Sequence, residues 1–100
     1  RFEREFERHL QLEESTLLRE LEEAGEAELV QRALAEHRDL RDLLAQVASG
    51  NRDSLTLFWI ALHAHVRFEE RELFRIAERV LPGAFLDRPL LSAAPDPTRS

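Results

Sequence analysis

Large apolar residues recur every three or four positions along most of the chain, the period of a helix that buries one face. The first stripe is Phe2, Phe6, Leu10, Leu17 and Leu21, and it predicts a helix from the start to about Ala24. Gly25 ends it, since glycine tolerates the left-handed backbone that follows a helix. A second stripe, Leu29, Val30, Ala33, Leu40, Leu44 and Val47, predicts a helix over about 26–48. The segment SGNRDS (49–54) reads as a turn, with Gly50 closing one helix and Asn51, Asp53 or Ser54 capping the next. The third and longest helix runs from about Asp53 to Val80 through Leu55, Phe58, Leu62, Val66, Leu73, Ile76 and Val80, and Pro82-Gly83 stops it. The expected architecture is an all-α, up-and-down bundle over residues 1–82. Residues 83–100, rich in proline, form an irregular tail beyond it.

Ionisable residues interrupt these stripes. Completed, the first reads Phe2, Phe6, His9, Glu13, Leu17, Leu21, and the third reads Phe58, Leu62, His65, Glu69, Leu73, Ile76. The second carries His37 between Ala33 and Leu40. The segments HLQLEESTLL (9–18) and HVRFEERELF (65–74) repeat one pattern: His, three residues, Glu-Glu, two residues, two large apolar side chains. Five ionisable groups thus stand where leucine is expected.

Their heights agree. Short turns make consecutive helices antiparallel, so levels can be compared by counting from each turn. Glu13 and His37 are equally far from Gly25, and His37 and His65 are equally far from Asn51. At 1.5 Å of rise per residue all three stand about 18–21 Å from the turns. The first and third helices run parallel, which brings the two His-x-x-x-Glu motifs face to face. His9, Glu13, His37, His65 and Glu69 are therefore expected to converge.

A carboxylate buried without a partner costs several kcal/mol, a large share of the stability of a domain this size. A cation bound by imidazole nitrogens and carboxylate oxygens removes that cost, and helical bundles build metal sites from such pairs. One histidine on an apolar face is most often a packed, hydrogen-bonded side chain, and a single His-x-x-x-Glu is weak evidence. Two copies in register with a third histidine at the same height favour a metal. Glu14 and Glu70, one residue beyond each stripe, read as solvated or as outer partners of the ligands. His63 is rotated away from the stripe, Trp59 reads as core, and the Arg/Glu runs read as solvated, ion-paired faces.

Composition narrows the function classes. The net charge is −6 with 34% charged residues, which argues against nucleic acid as a partner. There is no cysteine, hence neither disulfide nor thiolate site. No apolar run is long enough for a membrane span and no signal peptide is visible, so a soluble, cytoplasmic domain is expected.

The twofold His-x-x-x-Glu-Glu pattern with a lone histidine between resembles the hemerythrin-like, HHE cation-binding family. That resemblance implies a four-helix bundle around a non-haem di-iron centre. His9 and Glu13 would match the second-helix ligands, His37 the third-helix histidine, and His65 and Glu69 the fourth-helix pair. Glu13 and Glu69 would bridge the irons, and the histidines would be terminal ligands. The family's first helix, which supplies another His, has no counterpart here, so an upstream helix or a second copy of the chain is expected to complete the bundle. Oxygen-carrying members have a second His four residues along the third helix and an Asp five after the fourth-helix His. Here those features are replaced by Arg41 and by Glu69 at four, which favours the broader family with its roles in sensing and iron handling.

Three functions follow as expectations. The first is a di-iron module binding or sensing oxygen, nitric oxide, peroxide or iron, with Phe6, Phe58 and Leu62 as an apolar wall against water. The second is a di-iron oxidase or peroxidase, ranked lower because the stripes hold no further acid, base or nucleophile. The third is a metal-free interaction bundle whose polar layer sets helix register. The same ligands would hold zinc or manganese.

Overall fold

The computed structural model describes residues 1–81. They form α1 (Phe2–Ser15), α2 (Leu17–Glu23), α3 (Ala27–Ala48), α4 (Asp53–Phe68), a π-helical turn (Glu69–Leu73) and α5 (Phe74–Val80). The three predicted helices are all present as rods of an all-α bundle, the first and third of them interrupted. The tail expected at 83–100 lies outside the described residues.

The two reversals of the chain are built alike. At Gly25 (φ 94°) the Glu26 N–H donates to the Leu21 carbonyl and the Gly25 N–H to that of Glu22. At Gly50 (φ 102°) Asn51 donates to Gln46 and Gly50 to Val47. Both are six-to-one and five-to-two closures around a left-handed glycine, which satisfy carbonyls a helix end leaves open. Asn51 then contributes its Oδ1 to the Ser54 N–H at 3.4 Å, a long cap for α4.

The first helix is not continuous. Thr16 leaves helical geometry (φ −120°, ψ −82°), and its Oγ1 donates to the Leu12 carbonyl at 2.6 Å, joined by Ser15 Oγ at 3.2 Å. Back-bonding of this kind bends helices. After the bend, α2 sends Leu17, Leu18 and Leu21 into the main core with Val30, Ala33, Phe68, Leu73, Ala77 and Leu81. Burying a leucine this fully contributes about 1.5–3 kcal/mol, so this end anchors the helices that carry the polar layer.

The π-helical turn inserts a wider loop of backbone and re-registers the third rod. Leu73 and Ala77 then face inward while Val80 faces out. Leu55 and Val66, which the periodicity places on the core stripe, are also exposed, and so is Trp59, expected in the core. The reason is geometric. The buried face of α4 is Ser54, Phe58, His65 and Phe68, and Leu55, Trp59 and Val66 occupy the neighbouring face. At that end Phe2 and Phe6 stack on each other and meet Phe58 edge-on, with ring centroids 5.6–6.2 Å apart. No helix among the described residues is long and apolar enough to cross a membrane.

Candidate metal centre

Above the leucine core the three rods contribute four ionisable side chains to one point. α1 supplies Glu13, α3 supplies His37, the last turn of α4 supplies His65, and Glu69 opens the π-helical turn. One donor atom from each lies within 4.8 Å of every other. Opposite ligands at metal–ligand bonds of about 2.0–2.2 Å stand roughly 4 Å apart, so this spread suits a shared cation. His37 is wholly buried, Glu13 and His65 retain 4% of their surface and Glu69 9%.

His9 does not join the four. It is half-buried, one turn before Glu13 on the same face of α1 as Phe2 and Phe6. Glu70 and His63 are exposed, as the stripes suggested.

Polar contacts inside the cluster are incomplete. Nε2 of His65 pairs with Oε2 of Glu69 at 3.1 Å. Nε2 of His37 stands 2.9 Å from Oε1 of Glu13, yet the atoms are not aligned for a hydrogen bond and neither has another partner. Buried polar atoms are rarely left so, and each exception calls for an ion, a water or a function. The rings of His37 and His65 meet at a centroid distance of 4.8 Å.

The electrostatics without a cation are strained in opposite directions. Burial raises the Glu13 carboxyl above its ordinary range, and the neighbouring Glu69 adds to this against the pull of His37. Burial pushes Glu69 the same way, but its pairing with His65, the neighbouring Glu13 carboxyl and the attraction of His65 hold it low. Burial also opposes charge on His65; bonding and attraction to Glu69, with help from Glu36 and Glu13, nonetheless raise it to about 9. Without a cation the cluster thus favours a positive charge on His65, set between Glu69 and Glu36.

The outward nitrogens of both rings are tied down. Nδ1 of His37 meets Oε2 of Glu14 at 2.7 Å, and Nδ1 of His65 meets Oε1 of Glu36 at 2.7 Å. Arg41 donates twice to Glu14, at 2.9 and 3.1 Å, and twice to Glu7, at 2.8 and 2.9 Å. Arg32 donates to Glu36 at 3.3 Å and Glu72 at 3.0 Å, and lies 4.2 Å above the Phe68 ring. Glu14 fits its reading as an outer partner. The charge pattern places Glu7 in a solvated Arg/Glu run and does not mark Arg32, Glu36 or Arg41 as partners of the histidines, although one signal is present: Glu36 adjoins His37, which the count from Asn51 places level with His65.

A family model described as hemerythrin HHE cation binding domain matches residues 1–77. No curated protein and no solved structure gives a significant match.

Proposed function

Because the chain belongs to the hemerythrin HHE cation-binding family, we propose that it is a non-haem iron module whose di-iron centre binds or senses oxygen, nitric oxide, peroxide or iron supply. The observation that carries the reading is the pair His37 Nε2 and Glu13 Oε1, buried, adjacent and unbonded. Two imidazoles and two carboxylates form a donor set suited to iron, which other divalent metals can share.

Glu13, His37, His65 and Glu69 would hold iron through two imidazole nitrogens and two carboxylates. His9, half-buried on the same face of α1 as Glu13, is the ligand this reading assigns to the second ion. Bound iron would supply an electron-rich centre with a position for a small diatomic ligand. The chain's own part is to keep that position dry. Phe58 is fully buried two turns before His65, and Phe6 packs across it. The reading also has the remaining side of the bundle covered by an upstream helix or a second copy.

Anaerobic reconstitution with ferrous iron, followed by metal analysis, tests this directly. Two equivalents per chain, with an absorption spectrum altered by oxygen or nitric oxide, is the expected result. Less than one equivalent of iron, zinc or manganese would overturn it.

A further inference from the structure

The outer partners of the two buried histidines repeat one arrangement. Glu14 of α1 reaches His37 of α3, and Arg41 forks onto Glu14. Glu36 of α3 reaches His65 of α4, and Arg32 holds Glu36. Each histidine is therefore gripped by a carboxylate from the preceding rod, and each carboxylate by an arginine of α3. Arg32 and Glu36 are one turn apart, as are His37 and Arg41, so α3 carries both arginines in its own helical spacing.

We propose that His37–Glu14–Arg41 and His65–Glu36–Arg32 are two positioning triads that fix the rings so that both Nε2 atoms face the metal. The proposal rests on the metal-binding reading above.

The argument starts from hydrogen-bond roles. An ionised carboxylate can only accept, so a 2.7 Å contact to Nδ1 places the proton on that nitrogen. In a neutral ring this leaves the lone pair on Nε2, the atom that faces Glu13 in one case and Glu69 in the other. The opposite tautomer would turn a proton toward the cation. Without the carboxylate, rotation about the Cβ–Cγ bond would also be less restricted.

The arginines restrain the carboxylates in turn. Two parallel bonds from Arg41 fix the plane of Glu14, and the same guanidinium is held by the two bonds it donates to Glu7. Arg32 is steadied by Glu72 and by the face of Phe68. Neither network contributes a donor to the cluster. Their effect reaches the metal only through the rings.

Cobalt(II) titration of the full chain, followed through its visible absorption, tests the proposal, with zinc-loaded protein used for nitrogen-resolved NMR of the ring N–H groups. Wild type should show two slowly exchanging Nδ1–H signals. Glu14→Ala and Glu36→Ala should each lose one signal and bind cobalt about 10–100-fold more weakly, with an altered band shape. Glu14→Gln and Glu36→Gln keep an accepting oxygen and should restore most of the affinity and the lost signal. Arg41→Ala should fall between wild type and Glu14→Ala, and the exposed Glu70→Gln should behave as wild type.

If wild type binds no metal, the metal-binding reading itself fails. If wild type binds and folded alanine variants match it in affinity, band shape and ring signals, the triads are overturned while metal binding stands. Should an alanine variant not fold, its glutamine counterpart decides: the Nδ1–H signal must persist with near wild-type affinity, and its loss without any change in affinity overturns the proposal.

Discussion

Nε2 of His37 and Oε1 of Glu13 face each other across 2.9 Å, both shut from water and neither hydrogen-bonded. Such a contact stabilises nothing by itself, because a desolvated carboxylate beside an unaligned ring nitrogen leaves both groups worse off than in water. A cation that accepts both lone pairs turns the defect into a site. Binding therefore adds directly to folding stability. At a free metal concentration of 100 times Kd the gain is about 2.7 kcal/mol, on the order of 10–20 °C in melting temperature for a domain of this size. Calorimetry with and without chelator should show that loss, and an unchanged curve after verified metal removal would favour the plain interaction bundle.

Glu13→Gln separates site from stability. The amide removes a buried charge and offers an N–H in its place, so the metal-free variant should be more stable than metal-free wild type by about 1–3 kcal/mol. The metal-dependent rise in melting temperature should shrink at the same time. Denaturant unfolding in chelator and in zinc checks both arms, and equal metal-free stabilities would show that the carboxylate is not strained.

The pH dependence of the metal-free form follows from His65. Its value rises from 6.5 to about 9, because pairing with Glu69, Glu36 and Glu13 overcomes burial. A raised value means that the folded state holds the proton more tightly than the unfolded state. The stabilisation is complete below pH 6.5 and is lost as pH rises toward 9. Metal-free protein should therefore weaken across that window in urea titrations. Metal affinity should strengthen across it, since a ligating ring must shed the proton. A metal-free stability that rises from pH 6.5 to 9 would contradict the assignment.

The sequence disclosed the rods and the height of the polar layer because both follow from local rules: glycine stops, short turns and a fixed rise per residue. The two glycine closures are alike, which is why counting from Gly25 and from Asn51 placed Glu13, His37 and His65 correctly at one level. Three things were not legible. The bend at Thr16 depends on a hydroxyl choosing the Leu12 carbonyl over solvent. The π-helical turn shifts the face of the third rod, so Val80 leaves the stripe that periodicity gave it. Of the outer network only Glu14 was marked by its place beside the stripe; Glu36, Arg32 and Arg41 were hidden because they look like any charged helical surface until the neighbouring rod is in place. His9 shares the right face, but a full turn separates it from Glu13.

The closures themselves can be tested. A methyl group at Gly25 or Gly50 would meet no neighbour within 4 Å, so the cost of Gly→Ala is conformational alone. With φ of 94° and 102° each substitution should destabilise by about 1–2 kcal/mol. Metal affinity at saturation of folding should be unchanged by Gly50→Ala if the rods keep their register. Loss of affinity without loss of helicity would show that the turn sets the height of His65 relative to His37.

The exposed apolar residues of α4 give the last prediction. Leu55, Trp59 and Val66 are 44%, 52% and 41% exposed, and Phe2 of α1, at 49%, lies 6.3 Å from the Trp59 ring. Half-buried Leu62 extends the same face. A contiguous patch of this kind on two neighbouring helices is rarely left in water. It also adjoins the face of His9, so whatever covers it would dry the approach to the metal. A two-fold pairing of this face would bury it on both copies with the same residues. The 1–100 chain should therefore self-associate, with Trp59 emission shifted to shorter wavelength as concentration rises. Leu55→Glu should return it to a monomer with red-shifted emission and unchanged helicity. A monomer at high concentration by light scattering, with Trp59 fully accessible to a soluble quencher, would rule out the pairing and leave an additional helix as the cover.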